Sequence, residues 1–567
     1  MQTDLSYTVG QGSIDVPYIT IPDLVRKHAE NPNAVAQISI DWQTNEGESL
    51  TFKELYESAS KFAIGLKNLG VQKGDIVAIG TDNCKECTIV TVGSMMSGAA
   101  CLFFYFDRND GKDLKALLQK VGNNCKAIVF PEGKNNAYLD IMDKILVKHN
   151  AKGKVSCDAV AALEIAIVMS QKKHPEFFSL QDVMKMATSG FVLPQLAPED
   201  MAGIFLTSGT TGLPKLVPHS HYALVLFGFQ LSIGYGSSST FLFNDRPFNW
   251  MVGSPLWEIS TGKTRVYIKQ VASIPTVNEY ESTVRKVLKT FPCDAYILTP
   301  AVLHDISRDE DGKWNLKNVA TAGQPILSSL MKSVSRICQR FTNMYGSTEV
   351  LILTYQVCEK GVDYPDFLVG KPISGVEIKV VDENGSMLKR GERGEAYVRS
   401  PSTFKGYLND DKSTAGALTE DGWYRMGDSA IMLEDDSIII EGRRSECLMR
   451  SGARFITMSV AQIEAALKQH ALIKDAVAVP LLLEEQYPTI CCAIILHQQG
   501  AFVDNDQLKE FLLDPNGHTG SLFREIDVPT NFIVFQKEFP KTFNGKVKRK
   551  EIAELCKKYL AGDVYEV

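Results

Sequence analysis

Strands and helices alternate through the first part of this chain, which predicts an α/β protein whose large N-terminal domain is built of parallel-type sheets covered by helices. Two further observations complete the expectation. From about Gly370 the texture changes to antiparallel hairpins, a small β subdomain over about 370–442, and after Glu441-Gly442-Arg443-Arg444 mixed character resumes in a smaller α+β C-terminal domain. The expected division is therefore 1–442 and 443–567, and 567 residues, 44% of them hydrophobic, exceed what one core usually organises.

The elements follow in order. Leu55, Ala59, Phe62, Ala63 and Leu66 recur at helical spacing, and Ile76-Val77-Ala78-Ile79 reads as a short buried strand after a Lys73-Gly74-Asp75 turn. The pattern repeats with a helix from Glu86 to Met96, a strand from Cys101 to Phe104, a helix from Leu114 to Val121 and a strand from Ala127 to Phe130. Thr88 to Phe106 is uncharged for 19 residues, long enough to raise a membrane span. Gly93, Ser94, Ser97, Gly98 and Ala99 dilute it, so it reads as a buried helix running into a core strand. In the β subdomain Val376-Glu377-Ile378-Lys379-Val380 alternates, an Asp382-Glu383-Asn384-Gly385 turn follows, and Ala396-Tyr397-Val398 resumes extended character. The C-terminal part is expected to hold a helix from about Ser459 to Lys468 and a strand from Cys491 to Leu496. No fixed-period repeat or low-complexity tract occurs.

Charge and cysteines narrow the function. Sixty Lys+Arg against 67 Asp+Glu leave a formal charge of -7, without the positive excess of a nucleic-acid binder. Twelve scattered cysteines fit a reducing compartment, and the single C-x-x-C pair, Cys84 and Cys87, has neither a second pair nor a nearby histidine for zinc. Asp4 and Asp15 precede the first basic residue, Arg26, which is not the pattern of a secretory or mitochondrial leader, and Tyr565-Glu566-Val567 is not the S-K-L address. A soluble, cytoplasmic protein is expected.

One stretch carries chemistry by itself. Thr207-Ser208-Gly209-Thr210-Thr211-Gly212-Leu213-Pro214-Lys215 directly follows the apolar Gly203-Ile204-Phe205-Leu206, as a loop leaving a buried strand would. Glycines let the backbone approach an anion, and hydroxyls with successive N–H groups bind phosphate oxygens. Read alone, the loop says only that an anion can bind. It is not a Walker loop, since the glycine required ahead of Gly262-Lys263-Thr264 is Trp257, and no G-x-G-x-x-G fingerprint occurs.

The stretch matches the T-S-G-T-T-G-x-P-K signature of the adenylate-forming enzymes, the superfamily of acyl-CoA synthetases, insect luciferases and peptide-synthetase adenylation domains. Tyr345-Gly346-Ser347-Thr348-Glu349, Tyr424-Arg425-x-Gly427-Asp428, Gly442-Arg443 and Pro540-Lys541-Thr542-x-x-Gly545-Lys546 follow in that family's order and spacing, so the resemblance covers nearly the whole chain from about residue 20. It is closest in character to acyl-CoA synthetases.

The resemblance implies a role for each matching residue. Thr207, Ser208, Gly209, Thr210, Thr211, Gly212 and Lys215 would hold pyrophosphate. Thr348 would sit at the phosphates, with Glu349 as the magnesium ligand. Gly323, Gln324 and Pro325, in Thr321-Ala322-Gly323-Gln324-Pro325, would pack against adenine, beside Tyr345, Gly346 and Ser347. Asp428 would accept from both ribose hydroxyls, Arg443 would contact ribose at a domain hinge, and Lys546 would bridge carboxylate and α-phosphate. The acyl pocket would form around this centre from Trp250 to Gly253, Thr299 to Val302 and Met344 to Gly346. The implied reaction joins a carboxylic acid, expected to be a fatty acid, to CoA through an acyl-adenylate. ATP and CoA are then co-substrates, Mg²⁺ is the cofactor, and the C-terminal domain is mobile.

Four departures qualify the resemblance, the last of them in the loop that in the family lines the thiol's entry path. Leu216 stands where glycine is common, Met426 where threonine is usual and Ser445 where the hinge usually has aspartate or lysine, and Gly452-Ala453-Arg454 lacks an aromatic in a loop that is about three residues longer than usual. The same motifs also serve luciferase-like oxygenases and a non-catalytic nucleotide-binding protein on this fold. A peptide-synthetase domain fits less well, because Phe248-Asn249-Trp250 offers no acid for a substrate ammonium.

Overall fold

The structure is a computed structural model that describes residues 4–104, 111–133, 137–170, 174–187, 192–207, 214–269, 277–309, 314–444, 447–449, 457–481, 489–498, 503–513, 529, 531–541 and 547–562. A seven-stranded sheet runs in the order Phe178–Ser179, Ile165–Met169, Cys125–Pro131, Ile76–Gly80, Ala100–Phe104, Met201–Thr207, Lys215–Ser220. All its neighbours are parallel except the last pair, in which Thr207 lies opposite Lys215. The central strands are buried along their whole length, as a sheet covered on both faces requires.

The helices that cover it form where local chemistry favours them. Thr51 and Glu54 make a reciprocal capping box that starts the helix Phe52–Asn68, whose Leu55, Ala59, Phe62 and Leu66 pack into the core. The uncharged stretch is the helix Lys85–Met96 followed by the strand Ala100–Phe104, both buried. Among the described residues no helix is long and apolar enough to cross a membrane.

A second sheet has 14 strands. Its parallel half, from Val35–Ile40 through Thr264–Ile268, Phe241–Phe243, Ala295–Ile297 and Leu316–Ala322 to Cys338–Ser347, gives way to antiparallel neighbours at Leu351–Cys358 and Leu368–Pro372. The hairpin strands Glu377–Val381, Arg393–Arg399, Tyr424–Met432 and Ile438–Arg443 continue it without a break, so the expected β subdomain is hydrogen-bonded into the large sheet. Tyr7–Val9 pairs with Glu377–Val381 and closes that edge, a long-range pairing that no local pattern announces.

Beyond Arg443 a three-stranded sheet, Ile473–Leu481, Thr489–Leu496 and Asn531–Val534, separates two apolar clusters. Ile463, Leu467 and Leu508 pack on one face, and Phe539, Ile552 and Cys556 on the other. The helix expected over Ser459 to Lys468 is Val460–Leu467.

Candidate active site

The described part of the site is assembled where the two large sheets present strand ends. Met201–Thr207 leads out of the seven-stranded sheet and Lys215–Ser220 leads back. Ser208, Gly209, Thr210, Thr211 and Gly212 lie outside the described residues, as do Lys546, Ser445 and the segment 452–455. Thr207 and Lys215 fix the two ends of the phosphate-loop stretch.

The strand Cys338–Ser347 turns back tightly into Leu351–Cys358. A Cβ at Gly346 would lie 1.8 Å from the Leu351 carbonyl oxygen, so only glycine allows that approach. The turn carries Thr348, half-buried, and Glu349, buried. His219, on the returning strand, donates from Nε2 to the Thr348 carbonyl at 2.6 Å. A carbonyl only accepts, which places the imidazole proton on Nε2. Burial pulls the His219 pKa down to about 4, so the ring is neutral at neutral pH.

Glu349 is 6% exposed and accepts from the Tyr407 hydroxyl at 2.8 Å. Lys215 Nζ lies 4.5 Å from the centre of the Tyr407 ring. Tyr407 therefore ties the end of the phosphate-loop stretch to Glu349. Among the described residues no group of three His, Cys, Asp or Glu side chains forms a metal site. One buried carboxylate is nonetheless the donor set that suits Mg²⁺, which keeps waters and takes its other ligands from phosphates. The Ser347 hydroxyl, two residues before Glu349 in sequence, is buried without a hydrogen-bond partner.

Tyr345 reaches the other way. Its hydroxyl donates to Asp428 Oδ2 at 2.5 Å, while Arg443 Nε approaches Asp428 Oδ1 at 3.3 Å. Asp428 and Arg443 face one another on adjacent strands, and Arg443 also donates to the Met426 carbonyl at 2.5 Å. Burial raises the Asp428 pKa against the lowering influence of Arg443. Gly427, at φ +69, lets the chain bend just before the aspartate.

Gly323, Gln324 and Pro325 follow the strand Leu316–Ala322 and are exposed. Ala322 is paired with Met344, so this segment and Tyr345 leave neighbouring strands side by side. Gly323 has φ +87, and a Cβ there would meet Trp250 Cζ2 at 3.2 Å.

Several contributors escaped the sequence reading. The loop from Asn244 to Ser254, which carries Trp250, is held from behind by a buried set. Asn83 donates to the Asp245 carbonyl at 3.0 Å and accepts from Phe248 N at 3.1 Å. Arg265 donates to the Gly253 carbonyl at 2.5 Å and the Arg246 carbonyl at 3.0 Å, and Glu258 approaches its Nη1 at 3.3 Å. Burial, opposed by Arg265, raises the Glu258 pKa to about 7. These residues are scattered between Asn83 and Arg265 with no common spacing, and His219 and Tyr407 likewise belong to no motif. The C-x-x-C pair is structural: burial lifts the Cys87 thiol to about 12 and also pushes the Cys84 thiol well up.

The AMP-binding enzyme family model matches residues 24–408, and the chain belongs to that family. It is 25% identical over 525 residues to 4-coumarate–CoA ligase 4 of Arabidopsis thaliana, covering 89% of this chain and 86% of that one. It is 24% identical to the mitochondrial medium-chain acyl-CoA ligase ACSF2 of Mus musculus, covering 98% of this chain and 90% of that protein. The fold matches the anthranilate–CoA ligase AuaEII in complex with anthranoyl-AMP at a TM-score of 0.78, with 19% identity over 97% of this chain and 99% of that one. It also matches ATP-bound MatB from Rhodopseudomonas palustris at a TM-score of 0.74, with 18% identity over 95% of this chain and 99% of that one. These likenesses agree with the α/β fold expected from the sequence and the family it resembles.

Proposed function

We propose that this protein is an AMP-forming carboxylate–CoA ligase. The observation that carries the reading is the convergence of Glu349, Asp428 and Lys215 through two tyrosines, Tyr407 and Tyr345, on one region between the strand ends. The names of the relatives, which join aryl or medium-chain acids to CoA, support it.

In this reading Thr207, Lys215 and the intervening loop hold the β- and γ-phosphates. Gly323, Gln324, Pro325, Tyr345, Gly346 and Ser347 flank adenine, and Asp428 accepts from the ribose hydroxyls with Arg443 beside it. Glu349, oriented by Tyr407, would hold Mg²⁺, whose charge offsets that of the phosphates. A carboxylate oxygen attacks the α-phosphorus, the bond to the β-phosphate oxygen breaks, and pyrophosphate leaves. Thr348, its carbonyl fixed by neutral His219, and Lys546 stabilise the charge that builds on the α-phosphate. The CoA thiol then attacks the mixed anhydride and AMP leaves, after rotation of a C-terminal domain, residues 443–567, away from the first-step position. Chemistry of this kind relies on positioning and fixed charge rather than on a covalent enzyme intermediate. A cytoplasmic setting is part of this reading and suits the free cysteines, most of which are buried among the described residues.

The finer substrate assignment, a fatty acid, is tested by ATP–pyrophosphate exchange across acetate, medium-chain, long-chain and aryl acids, with CoA-thioester detection on every hit. Exchange and thioester with at least one class are expected. Exchange with no acid would overturn the ligase reading, and exchange without thioester would confine the chemistry to adenylation.

A further inference from the structure

The helix His221–Gly234 is apolar for most of its length, yet Gln230 within it is fully buried, and neither its amide nitrogen nor its amide oxygen has a partner. A buried amide with both ends unmatched is costly, and folded proteins rarely keep one unless something satisfies it.

Its surroundings show what it faces. Gly234, one turn on and on the same face of the helix, packs so closely that a Cβ there would lie 3.0 Å from both Met344 Sδ and Tyr355 Cε1. The Tyr355 hydroxyl donates to the main-chain carbonyl of Gln230, not to its side-chain amide. Gly228 points elsewhere, towards Trp257 and Ser260. The Gln230 amide is thus turned to the strands Cys338–Ser347 and Leu351–Cys358, beside Met344, which precedes Tyr345 and pairs with Ala322. The helix starts at the phosphate end, two residues after His219, and Gln230 lies roughly 14 Å along its axis from His221. Asn249 Oδ1, next to Trp250, is also buried without a partner.

We infer that Gln230 is a specificity-determining residue that receives a neutral hydroxyl at the far end of the acid's tail; this rests on the proposed ligase function. An amide both donates and accepts, which is what a hydroxyl needs. A charged tail is disfavoured at this residue, because both unpartnered groups of Gln230 belong to one neutral amide. A site built to hydrogen-bond a substrate hydroxyl discriminates strongly against the analogue that lacks it, since its own polar groups are then left unmatched.

The test compares matched pairs, ω-hydroxy against parent fatty acids and para-hydroxyaryl against parent aryl acids, in ATP–pyrophosphate exchange with the wild type and Gln230→Met. The wild type is expected to favour the hydroxylated member of at least one pair by about 10-fold or more in kcat/KM. Gln230→Met should erase that ratio while leaving the melting temperature unchanged or higher, because it removes an unmatched amide at similar volume. A structural role would instead lower the melting temperature and slow both members alike. No preference in the wild type, or a preference that survives in Gln230→Met, overturns the inference and leaves the ligase function intact. Exchange with no acid at all overturns both.

Discussion

The Tyr345 hydroxyl donates to Asp428 Oδ2 at 2.5 Å, so the residue that leaves the strand beside Ala322 also orients the carboxylate assigned to ribose. A hydrogen bond to a charged group contributes roughly 1.5–3 kcal/mol. Tyr345→Phe should raise the KM for ATP by roughly 10-fold and change kcat far less, since the bond is made equally in ground and transition states. Steady-state kinetics with ATP varied would check this, and an unchanged KM would remove Tyr345 from nucleotide binding.

Tyr407 acts on the opposite side of the centre. Because its hydroxyl donates to Glu349 at 2.8 Å, Tyr407→Phe should raise the Mg²⁺ concentration for half-maximal exchange by roughly 10-fold, as loss of a group that orients a metal ligand commonly does. A magnesium titration with the same half-maximum as the wild type would contradict that role.

Acid should destabilise the fold through two histidines. Burial pulls His219 and His221 each down to about 4, below the value of about 6.5 in an unfolded chain. The unfolded state therefore takes up protons first as pH falls, so this part of the stability is whole above about pH 6.5 and is lost between there and about pH 4. His221 Nδ1 also accepts from Ile21 N at 3.4 Å, a bond that protonation removes. The urea midpoint should drop from pH 7 to pH 5, and His221→Gln should shrink the drop. A midpoint that is flat over that range, or a drop of equal size in the variant, would contradict the account.

Gly323 tests the fit of the adenine segment. Alanine there would need φ +87 and would meet Trp250 Cζ2 at 3.2 Å, so Gly323→Ala should cost about 1–2 kcal/mol in strain and weaken exchange. Adding Trp250→Ala should recover part of the loss if the contact matters, and none if backbone strain alone is responsible. Measuring exchange for both single variants and the double variant separates these outcomes.

Local pattern made much of this molecule legible. The helix Lys85–Met96 and the strand Ala100–Phe104 follow from apolar runs interrupted by glycine and serine, and the hairpin strands from period-two alternation. Tyr345, Glu349, Asp428 and Arg443 were proposed because they belong to motifs with fixed spacing. What local pattern could not supply was anything set by long-range contact. Tyr7–Val9 joining the edge of the large sheet, Tyr407 orienting Glu349, and Asn83 with Arg265 holding the Trp250 loop depend on partners tens to hundreds of residues away. The unmatched Gln230 amide is visible only once burial and partners are known, because one glutamine in an apolar helix has no periodic signature.

The central claim is that the protein activates an acid by transferring it to the α-phosphate of ATP, and Lys546 bears most directly on it. Acid-dependent ATP–pyrophosphate exchange in the wild type and in Lys546→Ala, with ATP binding followed by calorimetry, is the decisive measurement. Exchange should fall by roughly 100- to 1,000-fold in the variant, the usual effect of removing one charge-stabilising group, while ATP affinity stays within about 3-fold of the wild type. Wild-type protein that shows no acid-dependent exchange, or a variant that exchanges undiminished, would contradict the account.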